Sequence, residues 1–314
     1  MSAPIGVLLM AYGGPDTLED IPGYLADIRS GRATPRAIVE EIAEHYRRIG
    51  GKSPLLSHSL RQLQALSARL GSSAWRCYLG MRHWSPWIEE AVAGMAEEGI
   101  RQAVGIVLAP HYSSMNTERY FQKVALGQEL YRTSIEFAFV KSYHDAPTLV
   151  EALARRVTEA IGRWPADERV GVHVVFCAHS LPARILVEGD PYDSQLRETA
   201  RLVALRAGLP EARWSWSYMS AGKSPEPWLG PDLPDHLTEL TGGGTRSIVC
   251  VPVGFVADHV EILYDVDIEA RQRAEELGIR LERPSSLNDD PLFIEALADA
   301  VTARALQAGF TGAG

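Results

Sequence analysis

Short apolar segments alternate with helical patterns along almost the whole chain. Several of these segments are continuously apolar instead of alternating between apolar and polar residues, which is typical of parallel strands that are covered on both faces. The predicted strands span residues 5–11, 75–80, 103–109, 135–141, 172–178, 213–218, 247–253 and 279–283. Helical patterns lie between them, for example over 57–70, 147–163 and 258–277. This alternation predicts an α/β fold with right-handed crossovers.

The two halves of the chain resemble each other. The first strand of each set of four leads into a similar sequence, LLMAYGGP at 8–15 and VFCAHSLP at 175–182. A chain of 314 residues is long enough for two domains. We therefore predict two similar doubly wound domains, 1–145 and 146–314, each with a four-stranded parallel sheet flanked by helices. A last helix over 291–308 could pack back on the first domain. Ligands of such sheets bind beyond the carboxyl ends of the strands.

Charge and cysteine content argue against several classes of function. The net charge of −9 disfavours nucleic acid and a polybasic membrane contact as partners. The three cysteines, Cys77, Cys177 and Cys250, form no CxxC motif, and they are too few for a cysteine-ligated iron–sulfur cluster. The apolar run at 6–12 is too short for a signal peptide or a membrane span, so we expect a cytoplasmic protein.

Two residues at the ends of predicted strands are candidates for chemistry. His179 follows the strand at 172–178 within the sequence AHSLP, and Tyr12 follows the strand at 5–11. A histidine at an exposed strand end suits proton transfer near neutral pH, but a histidine that caps the next helix explains the position equally well. Ser180 could be a hydrolase nucleophile, although no GxSxG motif surrounds it.

An acidic row follows the strand at 247–253. Glu261, Asp265 and Glu269 are spaced four residues apart, so in an α-helix they lie within about 80° of arc. A π-type widening, which is frequent at functional sites, would change that alignment. Oxygen ligands beside His259 could attract a divalent cation, and a solvated helix face is the alternative interpretation.

The segment 29–52 reverses the charge of the chain. Six basic residues outnumber three acidic ones there, which fits either a seat for an anionic small molecule or a solvated helix face. The basic residues are Arg29, Arg32, Arg36, Arg47, Arg48 and Lys52. His83, shortly after the strand at 75–80, is either an outer metal contact or a structural histidine.

At these residues the sequence resembles the ferrochelatases, and the resemblance extends over nearly the whole chain. The motifs that carry it are MAYGGP (10–15), IGGKSPL (49–55), LAPHYS (108–113), AHSLP (178–182), PWLGPD (227–232) and PVGFVADHVEILYD (252–265). The resemblance implies insertion of ferrous iron into a porphyrin by two Rossmann-like, chelatase-type domains, with the active-site cleft between them. It implies no cofactor beyond the iron substrate and no iron–sulfur cluster.

The resemblance also implies roles for particular residues. His179 and Glu261 match the catalytic histidine and glutamate of the family, which also contact the metal. Asp265 and Glu269 continue the acidic row on a helix with π character, and His83 corresponds to an outer metal contact.

Tyr12 indicates one branch of the family. A tyrosine at this position resembles the branch that uses coproporphyrin III, where it is the axial ligand of the iron, whereas the branch that uses protoporphyrin IX generally lacks it. The propionate contacts of that branch map to Arg29, Tyr46, Ser53 and Tyr120. The arginine that precedes the tyrosine in the branch is His45 here, and a neutral histidine lacks the bidentate guanidinium.

The expected reaction is therefore insertion of ferrous iron into coproporphyrin III to form coprohaem in haem biosynthesis. The alternatives are a protoporphyrin IX ferrochelatase, a haem or metal carrier without turnover, and a chelatase that inserts cobalt into a corrin precursor. The expected partners are coproporphyrin III and ferrous iron, with neither nucleic acid nor an integral membrane contact. We expect a monomer, and transient contact with other haem-synthesis enzymes is left open.

Overall fold

The chain divides into two compact units. The computed structural model describes residues 3–222 and 224–310. The first unit comprises the described residues up to Tyr143 and those from Asn288 onward, and the second comprises His144–Leu287. The sequence-based division assigned 146–314 to the second domain and left open whether the last helix packs on the first. The structure instead groups the last helix with the first unit, where its apolar residues are buried.

The first unit is built on a parallel sheet. Its strands are β1 (Ile5–Ala11), β2 (Trp75–Met81), β3 (Gln102–Val107) and β4 (Glu136–Val140). Among the described residues these four strands form one sheet in the order β2-β1-β3-β4, with every pairing parallel. All residues of β1 are buried, as expected for a central strand that helices cover on both faces.

Helices flank this sheet on both sides. They are α1 (Ile21–Ile28), α2 (Arg36–Arg48), α3 (Leu55–Leu70), α4 (Ile88–Glu97) and α5 (Thr117–Leu130). Ile88 and Val92 of α4 and Val124 of α5 join Leu8 and Met10 of β1 in one apolar cluster. Helix α3 also packs against the helix that spans Pro291–Gln307, which comes from the other end of the chain.

The second unit repeats the first sheet. Its strands are β5 (His173–His179), β6 (Trp214–Met219), β7 (Ser247–Pro252) and β8 (Arg280–Glu282). Within the described part of the chain they form a sheet in the order β6-β5-β7-β8, again all parallel. The strand order is the same in both sheets, which agrees with the internal similarity seen in the sequence.

The remaining helices complete both units. They are α6 (Pro147–Ile161), α7 (Arg184–Val187), α8 (Tyr192–Arg206), α9 (Leu233–Gly242), a π-helix (Glu261–Ala270) continued by α10 (Arg271–Glu276), and α11 (Pro291–Gln307). Helix α11 packs against α3, β3 and β4 of the first unit. Short 3₁₀ turns occur at Arg169–Gly171 and Glu211–Arg213.

All eight predicted strands are confirmed, and each observed boundary lies within two residues of the predicted one. Continuous apolar runs are easy to assign because the parallel strands are buried on both faces. No helix in residues 3–222 or 224–310 is both long enough and apolar enough to cross a membrane.

Candidate active site

Two strand ends occupy corresponding places in the two sheets. The strand order changes direction between β1 and β3 and again between β5 and β7, and ligands of open α/β sheets bind at such switch points. Tyr12 directly follows β1, and His179 is the last residue of β5. The fold therefore places both sequence-predicted residues at the positions where this architecture binds ligands.

His179 of the second unit forms a close pair with Glu261. Nδ1 of His179 lies 2.7 Å from Oε2 of Glu261. The two side chains are 34% and 32% exposed, so both remain accessible. Tyr192 donates a hydrogen bond from its hydroxyl to the His179 carbonyl at 3.0 Å, which fixes the backbone of the strand end. The sequence-predicted pair is thus brought together although the two residues are 82 positions apart.

The contact shifts the pKa of both partners. Burial alone would raise the pKa of Glu261, but the charge and hydrogen bond of His179 outweigh burial and hold this pKa well below its usual range. Burial alone would lower the pKa of His179, but Glu261 outweighs it and raises this pKa, with help from Asp265. The pair is therefore a histidine of increased basicity held by an ionised carboxylate.

Asp265 has a different environment one turn further on. Burial raises the pKa of Asp265 to about 7, and the neighbouring Glu261 and Glu269 carboxylates act in the same direction. The Ser220 hydroxyl donates a hydrogen bond to Asp265 and partly opposes the shift. The row thus contains one ionised carboxylate and a second that exchanges a proton near neutral pH. Glu269, the third member, is exposed.

The acidic row lies on the π-helix Glu261–Ala270. The resemblance implied a helix with π character at these residues. A π-helix has more residues per turn than an α-helix, so a step of four residues comes close to one full turn. Val266 and Ala270 of the same helix are buried in the core with Cys177 and Cys250. Burial of this apolar side leaves Glu261, Asp265 and Glu269 together away from the core.

The loop after β7 approaches β5 closely beside His179. A Cβ atom on Gly254 would lie only 2.8 Å from the Cβ of Ala178, so a side chain there would displace the strand that carries His179. Ser180, the alternative nucleophile, is fully buried and donates its hydroxyl to the Leu229 carbonyl at 2.8 Å. The structure thus gives Ser180 a structural role and offers no support for a hydrolase.

In the first unit, Tyr12 is surrounded by cationic and aromatic groups. Its side chain is 37% exposed, and its ring centroid lies 4.6 Å from that of His83. The Arg82 guanidinium lies 5.8 Å from the Tyr12 ring centroid and 5.4 Å from that of Tyr120. These contacts hold the tyrosine at the end of β1 beside a positive charge.

His83 is nearly buried and pairs with an acidic residue. Its Nδ1 lies 2.7 Å from Oδ2 of Asp27 on α1. Burial lowers the pKa of His83 to about 4, although the hydrogen bond that Nδ1 donates to Asp27 acts against this shift. The imidazole is therefore neutral at physiological pH, and neutral imidazole is the form that binds metals.

The residues predicted to contact propionate groups are less accessible than Tyr12. Tyr46, Ser53 and Tyr120 are 2%, 9% and 3% exposed. A Cβ atom on Gly14 would overlap the Ser53 side chain, so the glycine lets the loop after β1 approach Ser53. Arg29 is half-buried, and its Nε is buried with no hydrogen-bond partner among the described residues. His45 is half-buried on α2.

Metal binding by these residues stays a prediction. In the described ranges 3–222 and 224–310, no group of three or more His, Cys, Asp or Glu side chains is arranged to hold a metal ion. The candidate metal contacts are the His179–Glu261 pair and the acidic row in the second unit, and His83 and Tyr12 in the first.

The sequence interpretation missed three residues that contact the candidate residues within each unit. Arg82 directly follows β2 and Ser220 directly follows β6, so the strand-end rule that identified His179 would also have found them on the edge strands. Asp27 gave no such signal, because it meets His83 only through a contact across 56 positions of sequence.

The fold is shared with solved structures of chelatases. The structure matches that of the sirohydrochlorin chelatase SirB from Bacillus subtilis subspecies spizizenii in complex with cobalt, with a TM-score of 0.60, 12% identity and 99% of each chain covered. SirB from Bacillus subtilis with Fe3+ matches with a TM-score of 0.61, 12% identity and 98% of each chain covered. At this identity the likeness shows the fold alone, which is the two-domain α/β fold of chelatases.

Sequence comparison identifies the family. The family model for Ferrochelatase matches residues 4–305, and the chain belongs to the ferrochelatase family. A ferrochelatase of Deinococcus radiodurans is 53% identical, with 97% of each chain covered. The coproporphyrin III ferrochelatase of Geobacillus kaustophilus is 42% identical, again with 97% of each chain covered. That of Bacillus subtilis is 40% identical, with 95% of this chain and 96% of the relative covered.

Proposed function

We propose that this ferrochelatase inserts ferrous iron into coproporphyrin III to form coprohaem in haem biosynthesis, without an iron–sulfur cluster. The observation that carries the chelatase chemistry is the 2.7 Å contact between His179 and Glu261 at the end of β5. The coproporphyrin assignment is supported by Tyr12 and by relatives of 40–42% identity that carry that name.

Iron insertion releases two protons from the pyrrole nitrogens, so a base is needed beside the ring. His179 suits this role because Glu261 raises its pKa and holds Nδ1, which leaves Nε2 as the proton acceptor. Asp265, with a pKa of about 7, can take a proton from the pair and release it to solvent. Glu269, exposed on the same helix, would be the last carboxylate of this path. Glu261 and this row would also contact the incoming iron.

Residues of the first unit would bind the porphyrin carboxylates. Arg29 offers a buried Nε without a partner among the described residues, and a carboxylate oxygen would satisfy it. Tyr46, Ser53, Tyr120 and His45 are the further proposed contacts. Tyr12 would supply an axial oxygen ligand to the product iron, and His83 an outer contact for the metal.

The test compares two substrates under anaerobic conditions with ferrous iron. We expect the purified protein to metallate coproporphyrin III with a kcat/KM at least tenfold above that for protoporphyrin IX. A preference for protoporphyrin IX would overturn the coproporphyrin assignment and leave the ferrochelatase class intact. Tyr12→Phe should weaken the retention of coprohaem, measured by its visible spectrum. Tyr131→Phe, at another exposed tyrosine of the first unit, should not.

A second comparison tests the carboxylate contact. Arg29→Ala should raise the KM for coproporphyrin III because a charge-assisted hydrogen bond is lost, with a smaller effect on kcat. Arg36→Ala is the matched control, since Arg36 is almost fully exposed and pairs only with Glu40 among the described residues. Equal KM values for the two variants would contradict the role of Arg29.

A further inference from the structure

The side chain of Asp27 is dedicated to a single partner. Its Oδ2 lies 2.7 Å from Nδ1 of His83, and among the described residues the carboxylate makes no other hydrogen bond or ion pair. The Asp27 side chain is 33% exposed and that of His83 is 8% exposed. The aspartate is therefore the more accessible partner, and the imidazole that it contacts is nearly buried.

This contact determines which nitrogen of His83 carries the proton. A carboxylate oxygen accepts the hydrogen bond in this contact, so Nδ1 of the imidazole is the donor. Nε2 then carries the lone pair. In the described part of the chain no hydrogen bond is made to Nε2, so this nitrogen is left for a ligand.

Two further contacts fix the ring of His83 against Tyr12. The backbone N–H of His83 donates to the Tyr12 carbonyl at 2.9 Å, and the two ring centroids are 4.6 Å apart. His83 is therefore held by three contacts: its backbone N–H bonds to Tyr12, its ring packs against the Tyr12 ring, and its Nδ1 bonds to Asp27. Rotation of the His83 side chain about its single bonds would break the contact with Asp27.

We propose that Asp27 is a positioning residue that holds His83 in the tautomer whose Nε2 lone pair receives ferrous iron. The proposal rests on the function given to His83 above and extends it to a residue that has no contact with iron itself. A carboxylate that orients a metal-binding histidine commonly changes metal affinity by about 10–100-fold, so the effect of Asp27 should appear in the use of iron.

Kinetics with separate substrates provide the first test. Asp27→Ala should raise the KM for ferrous iron by about tenfold or more, while kcat and the KM for coproporphyrin III change less than about twofold. Asp27→Glu should restore part of the iron affinity. Glu19→Gln is the matched control, because it removes an exposed negative charge near α1 that has no partner among the described residues.

A double variant shows whether Asp27 acts through His83. Adding Asp27→Ala to His83→Gln should cause no further rise in the KM for iron, because the residue to be positioned is already gone. An equal additional rise in that background, or an unchanged KM in Asp27→Ala alone, would overturn the proposal. If His83→Gln itself leaves the KM for iron unchanged, the outer metal contact fails and the positioning role fails with it.

Histidine nitrogen NMR of the protein without porphyrin or iron provides a readout that does not depend on activity. The His83 signal, assigned by its loss in His83→Gln, should show a proton on Nδ1 in the wild type and a mixture of tautomers in Asp27→Ala. A proton on Nε2 in the wild type would refute the proposal even if the chain proves inactive with coproporphyrin III. Failure of iron insertion by the wild type with the Nδ1 tautomer intact would instead contradict the proposed function.

Discussion

The His179–Glu261 pair combines two opposite pKa shifts in one hydrogen bond. The carboxylate is held ionised and the imidazole is made more basic, although burial acts against both changes. Each charged form therefore depends on the other. A substitution at either position should change the pKa of the remaining partner, and the effects of the two substitutions on activity should not add.

Glu261→Gln keeps a hydrogen-bonding side chain next to His179 but removes its charge. We expect the pKa of His179 to fall, because the group that raises it is lost. Iron insertion into coproporphyrin III should slow by about 10²-fold or more, measured as kcat in steady state. Glu275→Gln, an exposed position on α10, is the control and should retain wild-type activity. A kcat for Glu261→Gln within twofold of wild type would contradict the assigned role.

His173 predicts a dependence of stability on pH. Its Nε2 lies 2.8 Å from the Ser215 hydroxyl, and burial, assisted by the charges of His236 and Arg213, lowers the pKa of His173 to about 4. The unfolded chain protonates this residue near pH 6.5. The stability contributed by the neutral histidine is therefore fully present above pH 6.5 and is lost as the pH falls toward 4.

His173→Gln removes this titration while keeping a donor near Ser215. The variant should be less stable than the wild type at pH 7.5, because the packing of the ring is lost. At pH 5 the difference in free energy of unfolding should shrink by about 1–2 kcal/mol. Urea unfolding at the two pH values measures it, and an identical difference at both would show that His173 does not titrate as described.

Arg283 fastens the π-helix that carries the acidic row. Its guanidinium donates two hydrogen bonds to Asp267 at 2.8 Å and 2.7 Å and lies 3.2 Å from Asp258, which precedes the helix. Ser286 donates to Asp258 at 2.8 Å. The Arg283 side chain is only 10% exposed. The Arg283 side chain thus links Asp258, which precedes the π-helix, to Asp267 within it. Glu261 and Asp265 lie between these two positions.

Arg283→Ala should destabilise the protein by about 3–5 kcal/mol, because two partly buried carboxylates lose their counter-charge. Arg273→Ala, which removes a more exposed contact with Glu276 on the adjoining helix, should cost less than about 1 kcal/mol. Chemical unfolding followed by circular dichroism measures both. A cost for Arg283→Ala equal to that of Arg273→Ala would rule out the fastening role.

At the level of elements, the sequence predicted most of what local pattern controls. Strand positions followed from apolar runs, and strand ends pointed to His179 and Tyr12 because parallel sheets bind ligands there. The fastening of the π-helix by Arg283 was missed, since it depends on a side chain that reaches back 16 positions to Asp267. Asp27 was missed for the same reason. Pairing between distant side chains leaves no periodic signal in a single sequence.

For the whole molecule, the last helix determines where the first unit ends in sequence. The apolar residues Phe293, Leu297 and Val301 of α11 are fully buried, and the helix packs on α3, β3 and β4. The sequence left this packing open, because a helix that is apolar on one side does not indicate which sheet it covers. The strand order of each sheet was likewise beyond the reach of local pattern.

Leu297→Ala should therefore destabilise the first unit by about 2–5 kcal/mol, the usual cost of a cavity at a fully buried leucine. Leu306→Ala on the same helix is the control, since that side chain is 72% exposed and should cost little. Hydrogen exchange locates the effect, which should be a loss of amide protection in α3 and β3. Loss of protection in β5 and β7 without loss in β3 would contradict the division into units.

The corresponding placement of Tyr12 and His179 has a consequence for how the two halves can differ. Both residues stand at the end of the second strand in a sheet of the same order, after strands that are buried almost throughout. The scaffold specifies a location, and the single side chain placed there decides whether an oxygen or a nitrogen atom is offered. Chemical divergence between the halves thus requires no divergence of backbone, which allows one architecture, used twice in a chain, to supply two unlike reactive groups.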